Sequence, residues 1–170
     1  MTTWNDHFLD LHARCEKRYR SGDTDFNGYY DAADQSLLAS IGYRPREFFD
    51  FVEDLCEEGG PSASTALLIA AVRRDYFNVI MNGQMVEPLV THDTIPTKPE
   101  ELDGIPYLPR ILAKARGKLR GALDPDLMFS CGGDRAFLHE HGLHPADFLR
   151  RVWAADDDDS QIADWIRSQQ

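Results

Sequence analysis

Residues 34–52, DQSLLASIGYRPREFFDFV, and residues 134–152, DRAFLHEHGLHPADFLRRV, align without a gap at an offset of 100 positions. Identities fall at Asp34/Asp134, Leu38/Leu138, Gly42/Gly142, Pro45/Pro145, Phe48/Phe148 and Val52/Val152, where average residue usage gives roughly one match by chance. Leu37/Phe137, Tyr43/Leu143 and Glu47/Asp147 are conservative pairs. The register runs back, less densely, through Ala13/Ala113, Arg14/Lys114, Arg20/Arg120 and Tyr29/Phe129. Self-similarity at a fixed offset is the mark of a repeated structural unit.

The shared positions describe a helix, a tight turn and a second helix. Asp34 and Asp134 are placed to cap the first helix, whose apolar face is Leu37, Leu38 and Ile41, or Phe137 and Leu138. Gly42 and Gly142 stop it, because glycine takes the left-handed conformation of a helix C-terminus without the penalty of a side chain. Pro45 and Pro145 suit the first turn of the next helix, with Glu47 or Asp147 near its positive end. Phe48, Phe49 and Val52, or Phe148, Leu149 and Val152, then turn toward the core.

Working outward, His7 to Arg20 places Phe8, Leu11, Cys15 and Tyr19 on one helical side, and Leu108 to Arg120 does the same with Leu108, Ile111, Leu112, Ala115 and Leu119. Thr65 to Met81 reads as a longer helix closed by Asn82-Gly83, and a last helix is expected from Ser160 as its cap. The competing reading of residues 77–90, FNVIMNGQMVEPLV, is a β-hairpin. The expected fold is all-α, with two related helical halves packed as an internal pseudo-twofold repeat sharing one core. The first occupies residues 1–85 and the second 105–170, with the proline-containing stretch 86–104 as linker.

The chain has 170 residues, enough to bury about 70% of its unfolded surface without a disulfide or metal staple. Its 18 basic and 29 acidic residues leave a net charge of −11, which opposes bulk attraction to nucleic acid or to an anionic membrane. Charges enter within the first six residues, and the apolar run Ala66 to Val72 stops at Arg73 and Arg74, far short of the roughly 20 residues that span a bilayer. A soluble, cytoplasmic protein is expected. Cys15, Cys56 and Cys131 are scattered and form no CxxC pair, so free thiols are expected rather than a disulfide framework or a thiolate zinc site.

With Leu108-Pro109-Arg110, Ala113-Lys114-Ala115-Arg116, Phe129-Ser130-Cys131 followed by Asp134, Phe137, Leu138 and Gly142, and Asp164-Trp165-Ile166, the second half resembles a bacterial family, domain of unknown function 5069. The resemblance covers about residues 105 to 168. Gly132 and Gly133 stand where the family has Pro and an apolar residue. The first half looks like a more divergent copy that lacks the Leu-Pro-Arg element and has Asp31 in place of Cys131. The resemblance implies a fold but brings no known activity.

Four constellations bear on chemistry. Cys131 stands just ahead of an expected helix start, where free amides and the helix dipole favour negative charge. His139, Glu140, His141 and His144 look like a metal cluster, yet histidines two apart diverge on a helix and HExxH is not matched. Arg110, Lys114, Arg116, Lys118 and Arg120 share a helix without an acid. They form either an anion-binding face or a set of stems packed against Asp124, Asp126 or the run Asp156 to Asp159. The helix-Gly-helix outline also fits a DNA-binding motif, but Glu47, Asp50, Glu53 and Asp54 on its second helix repel phosphates.

The leading expectation is a non-enzymatic helical module that binds a partner protein or a small anionic ligand through Arg110, Lys114, Arg116, Arg120, Cys131, His141 and His144. One alternative is an enzyme or thiol-based sensor centred on Cys131, with His141 or His144 as base and Arg110 or Arg116 as anion holders. The other is a helix-turn-helix nucleic-acid binder. No catalytic residue, metal or cofactor is assigned.

Overall fold

The computed structural model describes residues 3–169. The chain is mostly helical, in two compact units, Met1–Met85 and Val86–Gln170. No helix among the described residues is long and apolar enough to cross a membrane.

The first unit contains α1 (Trp4–Arg20), a 3-10 turn (Phe26–Gly28), α2 (Ala32–Ser40), α3 (Pro45–Glu58) and α4 (Ala63–Val79). Each start is set locally. The side chains of Thr3 and Asp6 cap α1 reciprocally, Ser62 accepts from Thr65 N to open α4, and Pro45 occupies the first turn of α3. The interior is built from Phe8, Leu11 and Cys15 of α1, Leu38 of α2, Phe48, Phe51 and Val52 of α3, and Ile69 and Ala70 of α4. Phe8 and Phe48 meet edge to face at 5.0 Å. Full burial of each such side chain is worth about 1.5–3 kcal/mol.

The second unit contains a two-stranded antiparallel hairpin, β1 (Glu101–Leu102) and β2 (Ile105–Pro106), followed by α5 (Leu108–Arg120), α6 (Gly132–Glu140), α7 (Pro145–Ala155) and α8 (Asp159–Ser168). Its interior is Leu108, Ile111, Leu112 and Ala115 of α5, Phe129, Leu138 of α6, Phe148 and Val152 of α7, and Ile162 and Ile166 of α8. The stretch 86–104 folds onto this unit. Leu89 N and Val90 N both donate to Ala122 O at 2.8 and 2.9 Å, and Asp124 N returns a bond to Val90 O at 2.9 Å.

Some elements of the two units share bounds at the offset of 100. Helices α2 and α6 begin and end 100 positions apart, and so do the starts of α3 and α7. Gly42 and Gly142 have φ of +73° and +67°. Behind them Tyr43 N donates to Leu38 O at 2.9 Å and Leu143 N to Leu138 O at 2.8 Å.

Several local expectations are corrected. Asp34 and Asp134 are not the caps; each lies three residues inside its helix. Helix α2 starts earlier because Asp31 accepts from Ala33 N at 2.8 Å and Asp34 N at 2.9 Å. Helix α8 is capped by Asp158, which accepts from Gln161 N, and not by Ser160. Over residues 77–90 the helical reading holds and the competing hairpin does not form: α4 runs to Val79, and Asn82 and Gly83, with φ of +52° and +71°, end it.

His12 of α1 is 1% exposed, and neither ring nitrogen has a hydrogen-bond partner. Its ring faces Phe48 at 6.2 Å. Burial holds its pKa below the ordinary value, against a smaller opposite pull from Glu16. The native state therefore resists a proton that the unfolded chain accepts near pH 6.5, so stability present above that pH falls as the pH drops toward the lower native pKa. In the corresponding position 112 the second unit carries a buried leucine. His12→Leu is expected to stabilise the first unit by about 1 kcal/mol or more and to flatten its acid-side loss, checked by urea unfolding at a series of pH values.

Candidate functional site

The cluster with the strongest chemistry lies where α5 meets the start of α6. Lys114 Nζ donates to Asp134 Oδ2 at 2.6 Å and to Cys131 Sγ at 3.1 Å. The Lys114 and Asp134 side chains are 3% and 0% exposed. A buried ion pair persists only when its remaining hydrogen-bonding capacity is met. Asp134 meets that condition, since Tyr107 Oη donates to Oδ1 at 2.9 Å and Ser130 N to Oδ2 at 2.8 Å.

Backbone conformation brings these groups together. Tyr107 precedes α5 at φ +70° and Ser130 precedes Cys131 at φ +73°, both in the left-handed region that non-glycine residues occupy at a cost. Arg135 Nη1 donates to Ser130 O at 2.8 Å and fastens that turn. Gly133 has a steric role: a Cβ there would lie 2.9 Å from Tyr107 Oη and push the phenol off Asp134. Burial, with the adjacent Asp134 carboxylate second, raises the Tyr107 pKa and keeps the phenol a donor.

Cys131 is the N-cap residue of α6, and its side chain makes no cap bond. At the matching place Asp31 satisfies two amides, and the matching ion pair is Arg14 Nη2 to Asp34 Oδ1 at 2.7 Å, with the arginine side chain 47% exposed. The two units thus share a cation, a helix start and an inner carboxylate. Only the second places a thiol beside a buried ammonium.

A cleft of about 590 Å³ adjoins the cluster, lined among others by Tyr107, Gly133, Phe137, His141 and Arg167. Tyr107 belongs to both, lining the cleft and donating its hydroxyl to Asp134. Phe137 stands between Tyr107 and His141, at ring distances of 5.8 and 4.6 Å.

All of these groups lie in the part of the chain that the family comparison covers. Residues 93–170 match the family Domain of unknown function (DUF5069). No curated protein and no solved structure matches the chain. The DUF5069 segment holds the entire Tyr107, Lys114, Cys131 and Asp134 cluster together with the cleft.

Of the residues singled out from sequence, the structure brings Lys114 and Cys131 together and distributes the others. Arg110 Nη1 donates to Pro96 O at 2.7 Å. Arg116 donates to Asp156 O at 2.9 Å and bonds the Asp159 carboxylate. Arg120 is exposed at the end of α5, where Lys118 is buried. His144 caps α7, its Nδ1 accepting from Ala146 N at 3.2 Å, and His141 ends α6 at the cleft. Sequence reasoning missed Tyr107 as a site residue and took Asp134 for a cap. One signal was available: Arg14/Lys114 and Asp34/Asp134 are opposite charges matched at the same offset in both halves.

Proposed function

We propose that the second unit is a thiol-based sensor centred on Cys131. The observation that carries this reading is the buried Lys114 ammonium 3.1 Å from Sγ. An ammonium held there by Asp134 is placed to stabilise negative charge that develops on the sulfur as it reacts, and the amides opening α6 act in the same sense. With Arg110 and Arg116 engaged by Pro96 O and Asp159, and His144 capping α7, the group at the sulfur is a lysine rather than the histidine and arginines of an enzyme reading. Binding of a small anion along the basic helix draws less support for the same reason. Three free cysteines fit a reducing, cytoplasmic setting.

The two remaining thiols serve as internal references. Burial pushes the Cys15 thiol up to about 12 and raises that of Cys56. When the native full-length chain is pulsed with iodoacetamide and alkylation is followed peptide by peptide, Cys131 is expected to react at least about tenfold faster than either. Equal or slower labelling of Cys131 overturns the sensor reading.

We further infer that the two units are copies of one helix-turn-helix module. The equal bounds of α2 and α6, the paired left-handed glycines and the matched cation-carboxylate pairs support this.

A further inference from the structure

We propose that Lys114 captures Cys131 once the thiol is oxidised by hydrogen peroxide, forming a covalent sulfur–nitrogen bond between α5 and the start of α6. The proposal rests on the thiol reading above and gives it a product. Sulfenic acids are short-lived and condense with whichever nucleophile is at hand, commonly a second thiol. Cys131 is the one cysteine of residues 86–170, so its own unit offers no resolving thiol. It offers the Lys114 nitrogen at 3.1 Å, in a position fixed by burial and by Asp134. Cys131 is only partly buried as a residue, and the proposal requires that a molecule as small as a peroxide reach its sulfur.

The chemistry balances in two steps. The Cys131 sulfur attacks one peroxide oxygen: the S–O bond forms, the O–O bond breaks, and the departing hydroxide takes the thiol proton and leaves as water. Sulfur is oxidised to sulfenic acid and peroxide is reduced. Asp134 Oδ2, 2.6 Å from Lys114 Nζ, then accepts a proton from the ammonium. The freed lone pair attacks sulfur, the N–S bond forms, the S–O bond breaks, and the hydroxide leaves as a second water with another proton from nitrogen. Thiol, amine and peroxide have become a sulfenamide and two waters, and the transferred proton rests on Asp134. An external thiol reverses the bond: it attacks sulfur, nitrogen leaves with a proton, and a second thiol resolves the mixed disulfide.

Forming the link removes the Lys114 ammonium that pairs with Asp134 and leaves the carboxyl holding the transferred proton. Tyr107, bonded to Asp134 and lining the cleft, connects the oxidation state of the sulfur to the cleft wall. The switch has a pair of covalent states and a mechanical neighbour.

The test treats the native full-length chain with a small excess of hydrogen peroxide, quenches with iodoacetamide without reductant, and maps peptides by mass spectrometry. The expected product joins the Cys131 and Lys114 peptides at a mass two hydrogens below their sum and is lost on adding dithiothreitol. Dimedone, which traps sulfenic acid, is expected to label Cys131 about tenfold more in Lys114→Arg than in the unsubstituted chain. The arginine retains a cation for Asp134 but presents no amine that condenses. A cross-link that retains the oxygen atom overturns the proposal, as does efficient dimedone labelling of the unsubstituted chain, or oxidation to sulfinic acid with Lys114 unmodified. Rapid alkylation without any cross-link leaves the sensor reading standing and removes only this proposal.

Discussion

Asp134→Ala is expected to lower the stability of the second unit by about 3–5 kcal/mol, because it strands the Lys114 charge in an interior that water does not reach. The same substitution orphans Tyr107 Oη and Ser130 N, both of which now donate to this carboxylate. Asp34→Ala provides the control. Its partner Arg14 is 47% exposed, so solvent screens the freed charge and a loss of about 1 kcal/mol is expected. Hydrogen exchange under increasing denaturant, followed separately in residues 32–40 and 132–140, measures both. Equal losses in the two variants would show that burial of the second pair has no special weight.

The second large effect is expected from Gly42→Ala. At φ +73° any side chain is strained, which costs about 1 kcal/mol. The added Cβ also lies 2.6 Å from Phe77 Cγ, an overpacking that brings about 1–3 kcal/mol more. Gly142 has nearly the same conformation, at φ +67°, but no atom within 4 Å of its ideal Cβ. Gly142→Ala therefore isolates the conformational part, near 1 kcal/mol, and the difference between the two variants measures the crowding by Phe77. Thermal or urea unfolding of both proteins gives that difference, and its absence contradicts the close approach.

These contrasts also show which physics is legible in a sequence. Leu38, Phe48, Val52, Leu138, Phe148 and Val152 are buried as their helical spacing implies, because periodicity reports directly on which face meets the core. Gly42 and Gly142 are left-handed as expected, since a helix stop before Pro requires it. The start of α2 was misplaced by three residues because Asp31 and Asp34 compete for the same role, whereas α6 starts at the same offset without any side-chain cap. The geometry that decides between the two aspartates is the reciprocal bond from Asp31 N to Asp34 Oδ2, which composition does not reveal. Asn82-Gly83 closes α4, as the leading reading of that stretch had it, while the one hairpin among the described residues turns at Asp103-Gly104, with φ of +51° and +76°, which sequence reading did not anticipate. Both dipeptides take the same kind of turn, and only the flanking helix α4 distinguishes them. At the site, the basic residues of α5 suggested one charged face. Burial divides them: Lys114 and Lys118 point inward, while Arg110 and Arg116 are drawn to partners on loops and α8. Charge alone does not say which cation is enclosed.

The exchange of Asp31 for Cys131 at otherwise matching helix starts has a practical consequence. Each molecule carries a matched pair of reporters, one thiol-bearing and one thiol-free, at equal concentration and in the same buffer. Whatever an oxidant does to α6 is read against α2 on the same chain, so global damage and a response of the sulfur separate within a single sample.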